Sequence, residues 1–280
     1  MGLSREQIES YGENGYLVVP GLASSEDVEE LRRDTLRICR GVYPHEKLQP
    51  MDGSLSDDEV LRNFLCIHHP HKVSPVICER GVGHAGIADV LAGLIGPDVK
   101  CMQSMLFVKP PDFQGQAWHQ DEIYIPTRDR SLTGAWIALD DATVENGCLW
   151  VLPGTHKGVL YDQRPHDNPD EFDFAPESYG FDDGEEIPVE VKAGDVVFFN
   201  GYLLHRSRKN RSQIYRRALV NHYMNAWSLL PWQMREGESP SRADYRDIVI
   251  VHGEDPYSWK GLEDRAGVSL RTCKALEERD

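Results

Sequence analysis

The chain has no CxxC pair, no apolar run approaching membrane-spanning length and no excess of basic residues. Each absence removes a class of function. The six cysteines, Cys39, Cys66, Cys78, Cys101, Cys148 and Cys273, are scattered, whereas a structural zinc site needs ligands paired at short spacing. They are expected to act as small buried hydrophobes. A membrane helix needs ~20 consecutive apolar residues, and none is present, so no membrane partner is expected. The opening MGLSREQIES lacks a basic region followed by an apolar one, and Glu6 stands where a myristoylated chain carries Ser or Thr. The last three residues, Glu278, Arg279 and Asp280, do not form a peroxisomal address. A cytoplasmic location is expected. With 46 acidic against 30 basic residues the net charge is −16. That sign repels phosphate backbones and argues against a nucleic-acid partner.

What is present falls into two textures. The first hundred residues read mainly as helices. Ser4 can cap a helix over REQIESYGENG, with Gln7 as its capping-box partner. Gly12 and Gly15 end that helix. YLVVPGL reads as a short edge strand. Ser24 or Ser25 caps SEDVEELRRDTLRICR. Residues 41–75 read as irregular, and a helix is expected at about 85–95, stopped by Gly96-Pro97. From about residue 99, short apolar runs recur, each closed by turn residues. They are VKCMQSMLFVK, HQDEIYI, GAWIALDDA, CLWVLPG, IPVEVKAGD, VVFFNGYLLHRS and RALVNHYMNAW. Short strands at this density predict an all-β sandwich or barrel.

The whole chain, 1–280, is expected to be a single domain. Residues 1–98 form a helical layer, 99–228 a β core and 229–280 a C-terminal extension. Residues 162–186 interrupt the core with a crowd of Asp and Glu and with Pro165, Pro169 and Pro176. A loop of that length is either a solvated surface segment or a lid over a binding site.

Within the β region, His119 and Asp121 lie in WHQDEIY, and His205 follows 84 residues later in GYLLHRS. Two imidazoles and a carboxylate can occupy one face of an octahedral metal and leave the other open, as in non-haem Fe(II) oxygenases. The bare motif is weak, because an HxD or HxE pair arises by chance roughly twice in a chain of this composition. Arg216 strengthens it. Iron oxygenases of this kind commonly use 2-oxoglutarate, whose far carboxylate must meet a cation inside the barrel. Arginine suits that place because its planar fork pairs bidentately and stays charged when buried. Arg216 opens a strand eleven residues after His205, and Ser207 can add a hydroxyl donor. Arg217 should face the opposite way, since strand side chains alternate.

A family resemblance runs through MLFVKPPD (105–112), WHQD (118–121), AWIALDDATVENGCLWVLPGTHKG (135–158), AGDVVFF (193–199) and HRSRKNRSQIYRRAL (205–219). On these segments the chain resembles the phytanoyl-CoA dioxygenase family over roughly residues 5–225. The resemblance implies a double-stranded β-helix, a cupin-like jelly-roll with flanking helices, that uses Fe(II), 2-oxoglutarate and O2. It implies that His119, Asp121 and His205 hold the metal. It implies that Arg216 and Ser207 clamp 2-oxoglutarate, with Met105 and Trp136 lining its pocket. Gln103 shares a strand face with Met105 and is a further candidate. Lys72 aligns too loosely with the family's upstream lysine to be assigned. Related halogenases replace the carboxylate ligand by a small residue, so the retained Asp121 points to hydroxylation. The expected product is an alcohol of a small-molecule metabolite, with succinate and CO2, made by a monomer or homodimer. A different metal chemistry on a cupin-like barrel, or a binding protein without turnover, remains the alternative. His68, His69 and His71 are expected to form either a substrate-side loop or bare surface. Tyr124, Asn146-Gly147 and His156 are expected to be architectural.

Overall fold

The computed structural model describes residues 2–230 and 246–272. Cys273 lies outside the described residues. The N-terminal layer begins with α1 (Arg5–Asn14), capped by a Ser4/Gln7 capping box and ended by Gly15 in the left-handed region at φ 81°. Gly12 lies inside this helix rather than ending it. β1 (Tyr16–Val19) follows, and Ser24 caps α2 (Ser25–Cys39), which buries Val28, Leu31 and Ile38. The stretch expected to be irregular contains two elements, α3 (Asp57–Leu61) and β2 (Phe64–His68). β2 escaped the strand signal because Phe64 to Ile67 are buried in succession, so the run has no period-two alternation. α4 (Ala85–Ile95) lies where Gly96-Pro97 predicted its end.

The β core starts with β3 (Val99–Lys109) and β4 (Gln116–His119). The expected strand HQDEIYI stops at His119, and Asp121–Ile123 turns as a 3-10 helix. β5 (Thr133–Ala138) and β6 (Leu149–Val151) follow. The acidic insert carries a two-stranded ribbon, β7 (Gln163–Arg164) with β8 (Glu177–Ser178). Next come β9 (Ile187–Val189), β10 (Val196–Asn200) and β11 (His205–Ser207). β12 (Arg216–Asn225), β13 (Val249–His252) and β14 (Ser269–Thr272) complete the series. The run VVFFNGYLLHRS is thus two strands, and they enter different sheets.

Two sheets form a jelly-roll. The larger has the order β1-β10-β5-β12-β3-β2-β14, with β13 also on β3, and the smaller has the order β4-β11-β6-β9. All registered strand pairs are antiparallel. The helices cover one face of the larger sheet and share its core, through Leu31, Ile38, Ile87 and Leu91 against Leu106, Ile137 and Leu219. The other face looks toward the smaller sheet. On β12 this alternation sends Arg217 outward to a bidentate pair with Asp140 at 2.8 and 2.7 Å, and sends Arg216 inward. β13 and β14 bring the chain beyond residue 229 back onto the larger sheet.

Candidate metal centre and cavity

Between the sheets lies a cavity of about 620 Å³. Such volumes are typical of small-molecule sites. His119, Asp121 and His205 all border it, and one ligand atom from each lies within 4.8 Å of the others. The local chain explains the convergence. His119 ends β4, which pairs with β11, and the register sets His119 directly opposite His205. The 3-10 turn then brings Asp121 back toward the same point. Asp121 Oδ1 lies 3.7 Å from His119 Nε2 and 3.8 Å from His205 Nε2.

The ring tautomers are fixed by backbone carbonyls, which can only accept. His119 Nδ1 donates to Ala117 O at 2.8 Å, and His205 Nδ1 donates to Leu203 O at 3.0 Å. Both Nε2 lone pairs are therefore left for an electrophile in the cavity. Burial, with His205 alongside, lowers His119 to about 3, so it stays neutral. Burial would raise Asp121, but His205, His222 and His119 outweigh it and hold the carboxylate well below its usual range. Two imidazole nitrogens and a carboxylate oxygen facing one point suit a divalent cation.

His222 was not singled out in the sequence. Its Nε2 donates to Asp121 Oδ2 at 3.0 Å, which leaves Oδ1 facing the imidazoles. Only the inward register of β12 could have flagged it, because it stands six residues from Arg216, on the same face. Phe199 packs its ring 4.6 Å from that of His205.

Deeper in, Arg216 is 4% exposed and borders the cavity. Its Nε donates to Gly147 O at 3.1 Å, and its guanidinium carbon lies 5.6 Å from the centre of the Trp136 ring. The Asn146-Gly147 turn therefore also supports Arg216. No carboxylate of the described residues lies within ion-pair reach of Arg216. Burial lowers it only to about 10, so it is charged at neutral pH. A buried, uncompensated guanidinium is costly unless an anion joins it. Ser207, Met105, Gln103 and Trp136 line the same cavity. Lys109 does too, and it escaped the sequence analysis although it stands in the quoted MLFVKPPD run.

The outer wall comes from less expected places. His68 and His69 line the cavity and His71 lies behind them, 91% buried, so this loop is not bare surface. Burial lowers His68 to about 3 and His69 to about 4. His69 takes a left-handed backbone at φ 54°, unusual for a residue with a side chain. The insert contributes Asp173 to Pro176, and the C-terminal strand contributes Ser269 and Arg271. Arg271 lies 3.4 Å from Asp173 across this wall. Tyr124 also faces the cavity, and its hydroxyl accepts from Gln163 at 3.0 Å. Lys72 instead pairs with Asp247 and with Asp264, the latter at 2.8 Å, away from the cavity lining. His156 holds Gly12 O at 3.2 Å and is architectural.

A family model described as phytanoyl-CoA dioxygenase (PhyH) matches residues 11–218. The chain belongs to this family. Peroxisomal phytanoyl-CoA dioxygenase of Homo sapiens is 33% identical over 239 residues, covering 80% of this chain and 69% of that protein. Phytanoyl-CoA dioxygenase 1 of Oryza sativa subsp. japonica is 31% identical over 269 residues, covering 84% and 95%. Among solved structures, the non-heme alpha ketoglutarate dependent carbocyclase SnoK from nogalamycin biosynthesis superposes with a TM-score of 0.67 at 24% identity, covering 89% of this chain and 96% of that one. EctD from S. alaskensis in its apoform gives 0.66 at 19% identity, covering 91% and 85%. These structural likenesses establish the jelly-roll fold. Family and fold together make this chain an Fe(II)- and 2-oxoglutarate-dependent oxygenase. No helix among the described residues is long and apolar enough to cross a membrane.

Proposed function

We propose that His119, Asp121 and His205 hold the iron, that Arg216 and Ser207 seat the distal carboxylate of 2-oxoglutarate, and that the enzyme hydroxylates a small metabolite. The observation that carries this reading is the pairing of a three-donor cluster with an unpaired buried arginine in one cavity. One needs a cation and the other needs an anion. A chelating dicarboxylic acid that bridges metal and arginine satisfies both.

When bound, the iron supplies oxygen activation coupled to decarboxylation of 2-oxoglutarate to succinate and CO2. The chain's own contribution is placement. The carbonyls of Ala117 and Leu203 lock both imidazoles in the ligating tautomer. His222 fixes the carboxylate rotamer. Trp136, Leu149 and Val220 supply apolar wall beside Arg216, which excludes water and strengthens the charge pairing there. Met105 and Gln103 border the same seat. Asp121 would hold the metal through its carboxylate, and with that donor retained hydroxylation is the favoured outcome.

Substrate enters over the outer wall of His68, His69, Arg271 and the insert residues Asp173 to Pro176. Part of the insert therefore acts as a fixed wall of the substrate site. The relatives are named for phytanoyl-CoA, and a cavity of about 620 Å³ that opens to solvent would take either a compact metabolite or the reacting end of a longer substrate beside 2-oxoglutarate. We place the enzyme in the cytoplasm, as a monomer or homodimer, although relatives include peroxisomal forms. The test is succinate release with Fe(II) and 2-oxoglutarate against a metabolite panel. Substrate-dependent succinate supports the reading. Tight co-substrate binding with no turnover on any compound would favour a binding protein.

A further inference from the structure

Lys109 ends β3, and the antiparallel register sets it directly opposite Arg216 on β12. Opposed residues on neighbouring strands hold their Cβ atoms within about 5.5 Å. Two like charges at that spacing destabilise a sheet, and here the site is buried as well. Lys109 is 2% exposed, Arg216 is 4% exposed, and both line the cavity. Among the described residues neither has a carboxylate within ion-pair reach. A lysine kept for packing alone would be replaceable by methionine at lower cost.

The ammonium offers three donors. One serves the Arg208 carbonyl oxygen. A second reaches Ser207 Oγ at 3.5 Å. The third has no protein acceptor, and the group borders the cavity beside Ser207 and Arg216. We propose that Lys109 is a second cationic ligand for the distal carboxylate of 2-oxoglutarate, alongside Arg216 and Ser207, and that it takes up a proton as the co-substrate binds. The proposal rests on the reading of this pocket as the co-substrate seat.

The charges around Lys109 give the direction of the proton movement. Burial, then the Arg216 guanidinium on β12, pushes the amine well below its usual range. Asp173 and Glu171 of the insert and Cys148 before β6 oppose that shift. The two carboxylates are engaged by Arg271 and Arg211, respectively. An incoming carboxylate adds a negative charge between the two cations and favours the protonated amine. Co-substrate binding should then draw a proton from solvent at neutral to mildly alkaline pH.

The test is calorimetric titration of 2-oxoglutarate into the Mn(II)-loaded protein, in buffers of differing ionisation enthalpy near pH 8. Wild type should take up a substantial fraction of one proton per co-substrate. Lys109→Met should bind at least tenfold more weakly and lose that uptake. Without co-substrate, the same variant should melt no lower than wild type, because an apolar side chain replaces a buried amine whose charged form is disfavoured beside Arg216. Binding within twofold of wild type, or an unchanged proton count, would overturn the proposal. If Lys109→Met does not fold, the wild-type count decides, and no uptake between about pH 7 and 9 rejects the idea. Arg216→Ala run in parallel separates the two readings. If it binds 2-oxoglutarate as wild type does, the seat itself is wrong, whatever Lys109 does.

Discussion

At the residue scale, the site is a set of side chains whose alternatives have been removed. His119 and His205 cannot turn their Nε2 atoms away without breaking bonds to Ala117 O and Leu203 O. His222 does the same for Asp121. Partners of this kind, one bond away from the proposed metal ligands, typically change metal affinity about 10–100-fold when removed. His222→Phe should therefore weaken Fe(II) binding by about that factor while the fold persists, as measured by competition with a chelator. An unchanged affinity would assign His222 a packing role only. Arg216→Ala should weaken 2-oxoglutarate by ~2–5 kcal/mol, the cost of leaving a buried carboxylate unpaired. Titration under anaerobic conditions reads this directly, and a loss below ~1 kcal/mol would mean that the co-substrate carboxylate does not sit against Arg216.

At the element scale, β4 and β11 of the smaller sheet must approach closely where the insert meets the core. Gly115 precedes β4 and bridges to Phe172 of the insert. A Cβ at Gly115 would sit 1.8 Å from the Ser207 carbonyl oxygen. That is backbone against backbone, so β4 and β11 would have to part. Gly115→Ala should destabilise the protein by ~1–3 kcal/mol and also weaken 2-oxoglutarate, because Ser207 moves with the strand. Chemical denaturation and co-substrate titration on the same variant check both, and a variant as stable as wild type would contradict the close approach. The sequence showed most elements where turn chemistry or a cap marks them, as at Ser4, Ser24 and Gly96-Pro97. It concealed β2, whose uniform burial removes the alternation. It also concealed the break at Asp121, where a strand-like composition turns to bring a carboxylate inward. The site was legible in part for the same reason. His119, Asp121, His205 and Arg216 lie in contiguous motifs, whereas His222 and Lys109 become visible only when strand register sets them beside Asp121 and Arg216. The wall made by Arg271 comes from a strand some 200 residues away from its partner β2, a distance no local pattern spans.

At the scale of the whole molecule, the core shields its chemistry from solvent. Cys39, Cys66, Cys101 and Cys148 are buried, as their scatter led us to expect, and Cys78 is half-buried. Burial pushes the thiols of Cys66 and Cys101 up to about 12 and that of Cys148 to about 11. At pH 8 these thiolates are scarce as well as inaccessible. Iodoacetamide followed by mass mapping should leave Cys66, Cys101 and Cys148 unmodified in the folded protein and modify them in denaturant. Rapid labelling of any of the three in the native state would mean that the jelly-roll opens far more readily than its packing implies. The same shielding frames the most direct test of the account, which is that three side chains from β4, its following turn and β11 share one iron ion. Anaerobic equilibrium dialysis against Fe(II) should give one bound ion per wild-type chain and none above background for His119→Ala, Asp121→Ala or His205→Ala, each shown to be folded by circular dichroism. One tightly bound ion per chain in all three variants would contradict it.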